Sequence, residues 1–129
     1  MLSKIGERYK EQLYFVFRVF VGLLFFQHGA QKLFGLFGGS QQALFSLMGL
    51  AGSIELIGGL FITFGLLTRL SAFLGACVMI GAWVIVHIPQ GLIPIENKGE
   101  LAALFFAVFL VLIAYGSGKW SIDRVFKKK

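Results

Sequence analysis

Polar and charged residues gather at the two ends of this chain and in two short connections, and between them run four long apolar stretches. The first covers about Leu13 to Phe34 and the second about Leu44 to Thr68. The third covers about Leu70 to Ile88, and the fourth runs from about Leu101 to Tyr115 and on towards Gly118. A helix crossing the hydrocarbon core of a bilayer takes about 20 mainly apolar residues. The pattern therefore predicts an all-α fold: one domain over residues 1–129, an integral membrane four-helix bundle with spans at about 13–34, 44–68, 70–88 and 101–118. Phenylalanines crowd the first span at Phe15, Phe17, Phe20, Phe25 and Phe26, as expected where side chains meet acyl chains and neighbouring helices.

The connections set how the spans follow one another. Gly35-Leu-Phe-Gly-Gly-Ser-Gln-Gln42 is uncharged and glycine-rich, which fits a loop or re-entrant turn outside the membrane. The Thr68-Arg69 junction is so short that the second and third spans must form an antiparallel hairpin, with Arg69 at the cytoplasmic surface. The outer connection holds Pro89, Pro94 and the cluster Glu96-Asn-Lys-Gly-Glu100. Glu96 and Glu100 read as solvated there, and Glu100 suits the first turn of the fourth helix. The first twelve residues carry no small-x-small cleavage site and read as a segment leading straight into span one.

Composition agrees with a membrane protein. Of the 129 residues 57% are hydrophobic and 14% charged, with a mean hydropathy of +0.83; globular domains carry about 25% charged residues. The net charge of +6 comes from two flanks: Lys4, Arg8 and Lys10 before the first span, and Lys119, Arg124, Lys127, Lys128 and Lys129 after the last. Basic flanks next to spans favour the cytoplasmic side, so both termini are expected there and the span count is even. The lipid bilayer is the first partner, with anionic head groups facing Lys127-Lys128-Lys129. A nucleic-acid partner is not expected, because the basic residues flank spans and are not interleaved with aromatics. The expected location is a cell membrane, multi-pass, of the bacterial or archaeal inner-membrane kind.

Small residues four apart mark close helix packing. Gly49 and Ser53, Ser71 and Gly75, and Ala103 and Ala107 are such pairs, and Gly58 and Gly59 follow Glu55 by about one turn. In lipid, helix association rests on close backbone approach. Gly58 and Gly59 would in addition leave room beside Glu55 for a flat ligand.

Glu55 is the residue that demands an explanation. A charged group at bilayer depth costs about 2.5–3.5 kcal/mol on insertion scales, and such groups face a bundle interior or polar cavity. At about 1.5 Å per helical residue, Glu55 lies roughly 20 Å above the cytoplasmic end of its span and His28 roughly 22 Å above that of span one. His87 falls at roughly 26 Å and Lys32 at roughly 29 Å, so the four occupy neighbouring levels in the outer half. His28 and Lys32 are four apart on one helix face, with Gln27 and Gln31 beside them. Arg18, roughly 8 Å deep, reads as an interfacial arginine that extends its side chain to the surface. Lys32 similarly reads as marking the outer boundary, and His87, before Ile88-Pro89, as structural or interfacial.

These residue types narrow the chemistry. A single cysteine, Cys77, allows no internal disulfide and no dithiol exchange. There is no glycine-rich dinucleotide turn, phosphate loop or His-x-x-x-His pair, so no metal site is expected. His28 and His87 on separate helices would be the axial ligands of a haem, a weaker reading than the next. A carboxylate, a histidine and a lysine near one level of an apolar bundle suit hydrogen bonding and proton exchange with the oxygens of a lipid-soluble ring compound such as a quinone.

Taken together, several segments resemble the DoxX-like family of membrane proteins. They are Arg18, His28-Gly-Ala-Gln-Lys32, Glu55 with Gly58-Gly59, Gly65 with Thr68-Arg69, and His87. Asn97-Lys-Gly-Glu100 and the closing Tyr-Gly-Ser-Gly-Lys-Trp-Ser-Ile-Asp123 complete the pattern. The resemblance covers nearly the whole chain in order. It implies four spans and a quinone-linked redox setting, since the family includes small membrane subunits of thiosulfate:quinone oxidoreductase and members associated with oxidative-stress and thiol-redox complexes. The candidate catalytic residues are Glu55, as proton donor or acceptor, and His28, as relay or hydrogen-bond donor. The candidate ligand-binding residues are Lys32, Arg18, Gly58, Gly59, His87, Asn97 and Glu100. No electron carrier is encoded, so a soluble or membrane redox partner subunit is expected, and homo-oligomerisation stays open. Two other readings remain: a noncatalytic scaffold holding a redox enzyme through Arg69 and the basic tail, and a small transporter coupling protons through Glu55.

Overall fold

The computed structural model describes residues 1–127, and Lys128 and Lys129 of the basic tail lie outside the described residues. Every regular element among them is helical: α1 (Leu2–Phe34), α2 (Leu47–Phe64), α3 (Thr68–Ala82), α4 (Pro94–Asn97), α5 (Glu100–Tyr115) and α6 (Ile122–Lys127). A π turn at Trp83–His87 and a 3-10 turn at Ile88–Gln90 prolong α3, giving one helical run over Thr68–Gln90. Among the described residues α1, α2 and this run are long and apolar enough to cross a membrane. The fourth expected span is the 16-residue α5, shorter than the other three at about 24 Å.

Local chemistry explains the boundaries. α1 ends at Gly35, whose φ of 66° is left-handed and whose N–H donates to the Gln31 carbonyl, a glycine-favoured helix stop. The second helix starts three residues later than the apolar run implies because Ser46 caps it, its Oγ accepting from the Gly49 N–H at 3.1 Å. Gly65, φ 70°, closes α2, and α3 begins at Thr68, so the expected hairpin is there. α6 was not expected. α1 starts at Leu2 and, at 33 residues, is about 50 Å long against a hydrocarbon core of about 30 Å. The excess is the mostly exposed segment before Leu13, at the end of the bundle that carries the basic flanks, hereafter the basic end.

The closest helix contact runs between antiparallel α1 and α2, and glycines seven apart on each make it possible. A Cβ at Gly22 would strike Thr63 and the Gly59 carbonyl, and one at Gly29 would strike the Leu56 backbone and the Gly52 carbonyl. Conversely, a Cβ at Gly59 would strike the Phe26 backbone, and one at Gly52 would press on the Lys32 side chain. Such backbone proximity supplies dispersion contact where lipid removes the hydrophobic drive between helices. α3 packs on α5 and on α2. Gly75 meets the Phe109 ring, as its pairing with Ser71 led us to expect. Ala103 and Ala107 are exposed, which corrects their reading as a contact within the bundle: α5 turns Phe105, Phe109 and Ala102 inward instead. The core is aromatic, with Phe25 against Phe105 and Phe109 at centroid distances of 5.7 and 4.8 Å, and Ile62, Ala72, Met79 and Leu112 around them.

Candidate functional site

The glycine contact at Gly29 and Gly52 places the next polar residues. The Lys32 side chain lies opposite Gly52, and the Leu56 backbone lies opposite Gly29, which puts Glu55, one turn from Gly52, within reach of the lysine ammonium. The Lys32 Nζ donates to Glu55 Oε1 at 2.6 Å. Glu55 is 1% exposed, and its other oxygen, Oε2, is buried with no hydrogen-bond partner. Lys32 therefore does not serve as a boundary residue extending outward; its ammonium turns inward because the buried carboxylate is the stronger attraction. The Lys32 side chain stays 21% exposed, which connects the pair to the outside of the bundle.

That opening leads into an apolar groove of about 300 Å³ between α2 and α3. Lys32 stands in its wall with Ala51, Ile54, Cys77, Val78 and Ala82. The lone thiol of Cys77 is exposed and faces this groove, not the core. Glu55 thus lies behind Lys32, and Lys32 is the polar group that the groove meets.

The other predicted site residues fall elsewhere. His28 is half-buried and sets its ring edge-on to Phe105, centroids 5.7 Å apart; it makes no hydrogen bond to Glu55 and does not line the groove. Gly59 offers no room for a ligand, because the α1 backbone lies against it. Gly58 touches the Phe25 ring at ordinary contact distance and borders a separate apolar cavity of about 230 Å³ with Ile54, Ile57 and Ser71, which Glu55 does not line. At the far end, the His87 Nδ1 lies 3.0 Å from the Asn97 carbonyl oxygen. The Asn97 side chain is wholly buried, donates to the Gly91 carbonyl at 2.9 Å and accepts from the Gly99 N–H at 2.8 Å. His87 and Asn97 thereby fasten the turn between α3 and α5. Glu100 is exposed in the first turn of α5. Among the described residues no group of three His, Cys, Asp or Glu side chains is placed to hold a metal ion.

Arg18 departs most from its sequence reading. It is 1% exposed, and instead of extending to the surface it crosses the interior of the basic end. Its Nε donates to the Ile62 carbonyl at 3.0 Å, Nη2 to Thr63 at 3.2 Å, and Nη1 to Ser117. The first two acceptors lie in the last turn of α2, where Ile62 also accepts from the Gly65 N–H at 3.1 Å and a cation meets the negative end of the helix dipole. Two further charges work in the same way. Arg69 donates from Nε to Ile113 and from Nη2 to Ala114, in the last turn of α5. Asp123 accepts from the Leu67 and Thr68 N–H groups at 2.7 and 3.1 Å, capping α3. The Tyr14 hydroxyl, donating to the Gly116 carbonyl, brings the entry of the first span and the exit of the fourth to one end of the bundle. Sequence reasoning missed this set of caps. The signal available was a charged residue near each helix end, with Asp123 placed just beyond a Gly-Ser-Gly segment.

Comparison with known proteins places the chain in a family. The DoxX family model matches residues 13–88, a stretch containing Arg18, Lys32, Glu55 and Arg69. A Haemophilus influenzae protein without assigned function is 32% identical over 130 residues, covering 95% of this chain and 97% of that protein. A Bacillus subtilis protein named "Putative oxidoreductase CatD" is 35% identical over 120 residues, 87% of this chain and 86% of that one. An uncharacterised membrane protein of Mycobacterium tuberculosis is 31% identical over 133 residues, covering 87% and 80%. No solved structure matches the chain. With the family model covering more than half its length and relatives of this identity along nearly all of it, the chain belongs to the DoxX family of membrane proteins.

Proposed function

We propose that this protein is a membrane subunit of a redox system and takes up a quinone or a similar hydrophobic aromatic in the α2–α3 groove, against the Lys32–Glu55 pair. The observation that carries the reading is the buried Glu55 with one bonded and one unpartnered oxygen, set behind a lysine at the mouth of an apolar groove. The likeness to a relative named an oxidoreductase supports the redox half of it.

The residues present fit such a ring compound. A groove of about 300 Å³ is at the small end of ligand pockets, which run from about 300 to 1,000 Å³ with apolar walls and few polar groups. Ala51, Ile54, Val78 and Ala82 would hold the ring, and the Lys32 ammonium would donate a hydrogen bond to its oxygen. A bound quinone supplies the capacity to accept two electrons and two protons. The electrons would come from a partner enzyme. Glu55 Oε1 would hold the ammonium in place, and Lys32 Nζ would give each proton to a reduced ring oxygen and take one back from water at its exposed side, its recharging favoured by the buried carboxylate. Exclusion of bulk water from the groove by Leu50, Leu74 and Ile85 keeps that exchange confined to Lys32.

The test is quinone binding to the purified chain in nanodiscs, with any co-purifying small molecule identified by mass spectrometry and the optical spectrum recorded. Ala51→Trp, which fills the groove, and Lys32→Met should each abolish saturable binding, and Glu55→Gln should weaken it. Binding untouched by Ala51→Trp would refute the groove as the seat. A haem-like absorption band would instead return attention to His28 and His87.

The scaffold reading keeps one specific observation. The first turns of α1 project beyond the bundle with Leu2, Ile5 and Tyr9 exposed at 81, 45 and 42%. A redox enzyme pulled down by wild type and by Ala51→Trp alike, but not after Leu2→Ser/Ile5→Ser, would favour it.

A further inference from the structure

Independently of the quinone reading, we propose that the basic end carries a binding site for a phosphate group, formed where the α2–α3 turn, the end of α5 and α6 meet. A cavity of about 470 Å³ opens there, with Arg69, Arg124 and Lys127 in its wall. None of the three has a carboxylate partner: the ion pairs among the described residues are Lys10 with Glu7 and Lys32 with Glu55. The carboxylate that does line the cavity, Asp123, has both oxygens bonded to the first amides of α3, so its charge is directed at the helix. The wall is therefore cationic on balance.

Donors are available at several heights in it. Arg69 uses Nε and Nη2 for the Ile113 and Ala114 carbonyls, which fixes the guanidinium plane and leaves Nη1 uncommitted. A planar guanidinium held in this way suits phosphate oxygens. Thr68 is fully buried behind the same wall, and its Oγ1 has no hydrogen-bond partner, so a small displacement of the wall on binding would give that hydroxyl a phosphate oxygen, or a water bound to one. The side chains of Arg124 and Lys127 make no hydrogen bonds among the described residues and stand at the rim, where anionic surfaces are met first.

The apolar part of the wall indicates how such a group arrives. Leu70 and Phe126 are 54 and 62% exposed beside these charges, an arrangement matched by the head group and upper acyl chains of an anionic phospholipid. A free phosphate compound shares the head-group chemistry without the chains. The two sources are separated by experiment.

The full chain, delipidated in detergent, is titrated with phosphatidylglycerol, with phosphatidylcholine and with inorganic phosphate. Retained lipid is counted by native mass spectrometry and thermal stability is followed in parallel. Phosphatidylglycerol should bind more tightly than phosphatidylcholine. Arg124→Gln/Lys127→Gln should weaken it by about 25-fold, from about fivefold for each basic side chain at an anionic surface. Lys4→Gln/Arg8→Gln removes the same charge from α1 and should change binding less than about threefold. Saturable inorganic phosphate binding with the same variant dependence would support the site with a free phosphate compound as its ligand, while its absence beside phosphatidylglycerol binding would support a lipid head group. Equal weakening in both double variants would overturn the proposal in favour of diffuse attraction to the basic flanks, and no weakening in the α6 variant would overturn it outright. Because Arg124 and Lys127 are exposed and bond nothing through their side chains, the unliganded melting temperature of that variant should match wild type.

Discussion

Replacing Lys32 by methionine removes the counter-charge of Glu55 while nearly preserving side-chain length. Glu55 is 1% exposed and its Oε2 already lacks a partner, so the variant leaves a buried carboxylate with no hydrogen bond on either oxygen. At 2.6 Å and an effective dielectric of about 20, Coulomb's law gives a gross attraction of about 6 kcal/mol. Desolvation of both groups offsets much of that, and truncating one partner of a buried pair costs about 3–5 kcal/mol. The Lys32 side chain is 21% exposed, in the last turn of α1, so the pair is not fully enclosed and the expected loss is at the low end, about 3 kcal/mol. Adding Glu55→Gln removes the stranded charge and should recover most of this. The assay is reversible unfolding in mixed lipid–detergent micelles of wild type, both single variants and the double, read as a double-mutant cycle. A Lys32→Met protein within about 0.5 kcal/mol of wild type, or a double variant no more stable than Lys32→Met, would refute the electrostatic account.

Three further outcomes follow from the same packing. Arg18→Met strands the Thr63 and Ser117 carbonyls, leaving Ile62 with the Gly65 N–H alone, and should cost about 3 kcal/mol, with Arg18→Lys recovering little because an ammonium cannot fork to all three; equal stability of the two variants and wild type in the same micelles would sink this. Gly29→Val should lose at least about 3 kcal/mol by prising α1 from α2, whereas Gly6→Ala, with nothing within 4 Å of the new methyl, should gain up to about 1 kcal/mol; thermal melts of the two tell them apart. Asp123→Ala uncaps α3 and should cost about 1 kcal/mol, seen as faster amide exchange confined to Leu67 and Thr68.

The sequence made the spans legible because the signal for a membrane helix is length and apolarity, and both are local. Span ends were less so: Ser46 and Gly65 move the second helix inward through caps that depend on neighbouring backbone. Pairing was harder still. His28 and Lys32 share a face of α1, and depth alone allowed either to meet Glu55; the choice depends on rotation, which the Gly22, Gly29, Gly52 and Gly59 contact fixes. That contact was readable in principle, since glycines seven apart occur on both neighbouring antiparallel helices, yet spacings of four drew attention to Ala103 and Ala107, which face outward. The burial of Arg18 was not readable locally, because its acceptors come from residues 44 to 99 positions away.

That separation has a consequence for how the protein is made. Arg18 leaves the ribosome 99 residues ahead of Ser117, and at about 5–20 residues per second the delay is about 5–20 s. For the first 44 residues of that interval none of the acceptors exists, and afterwards the α2 carbonyls satisfy only part of the guanidinium, so the rest stays at the membrane surface in contact with water, as long cationic side chains do. The surface position read from the sequence is then the position of a nascent chain. Synthesis of the segment around Ser117 then supplies the missing acceptor and converts an interfacial residue into an interior one. A chain stalled before Ser117 keeps an exposed cationic mark by which unfinished molecules differ from finished ones.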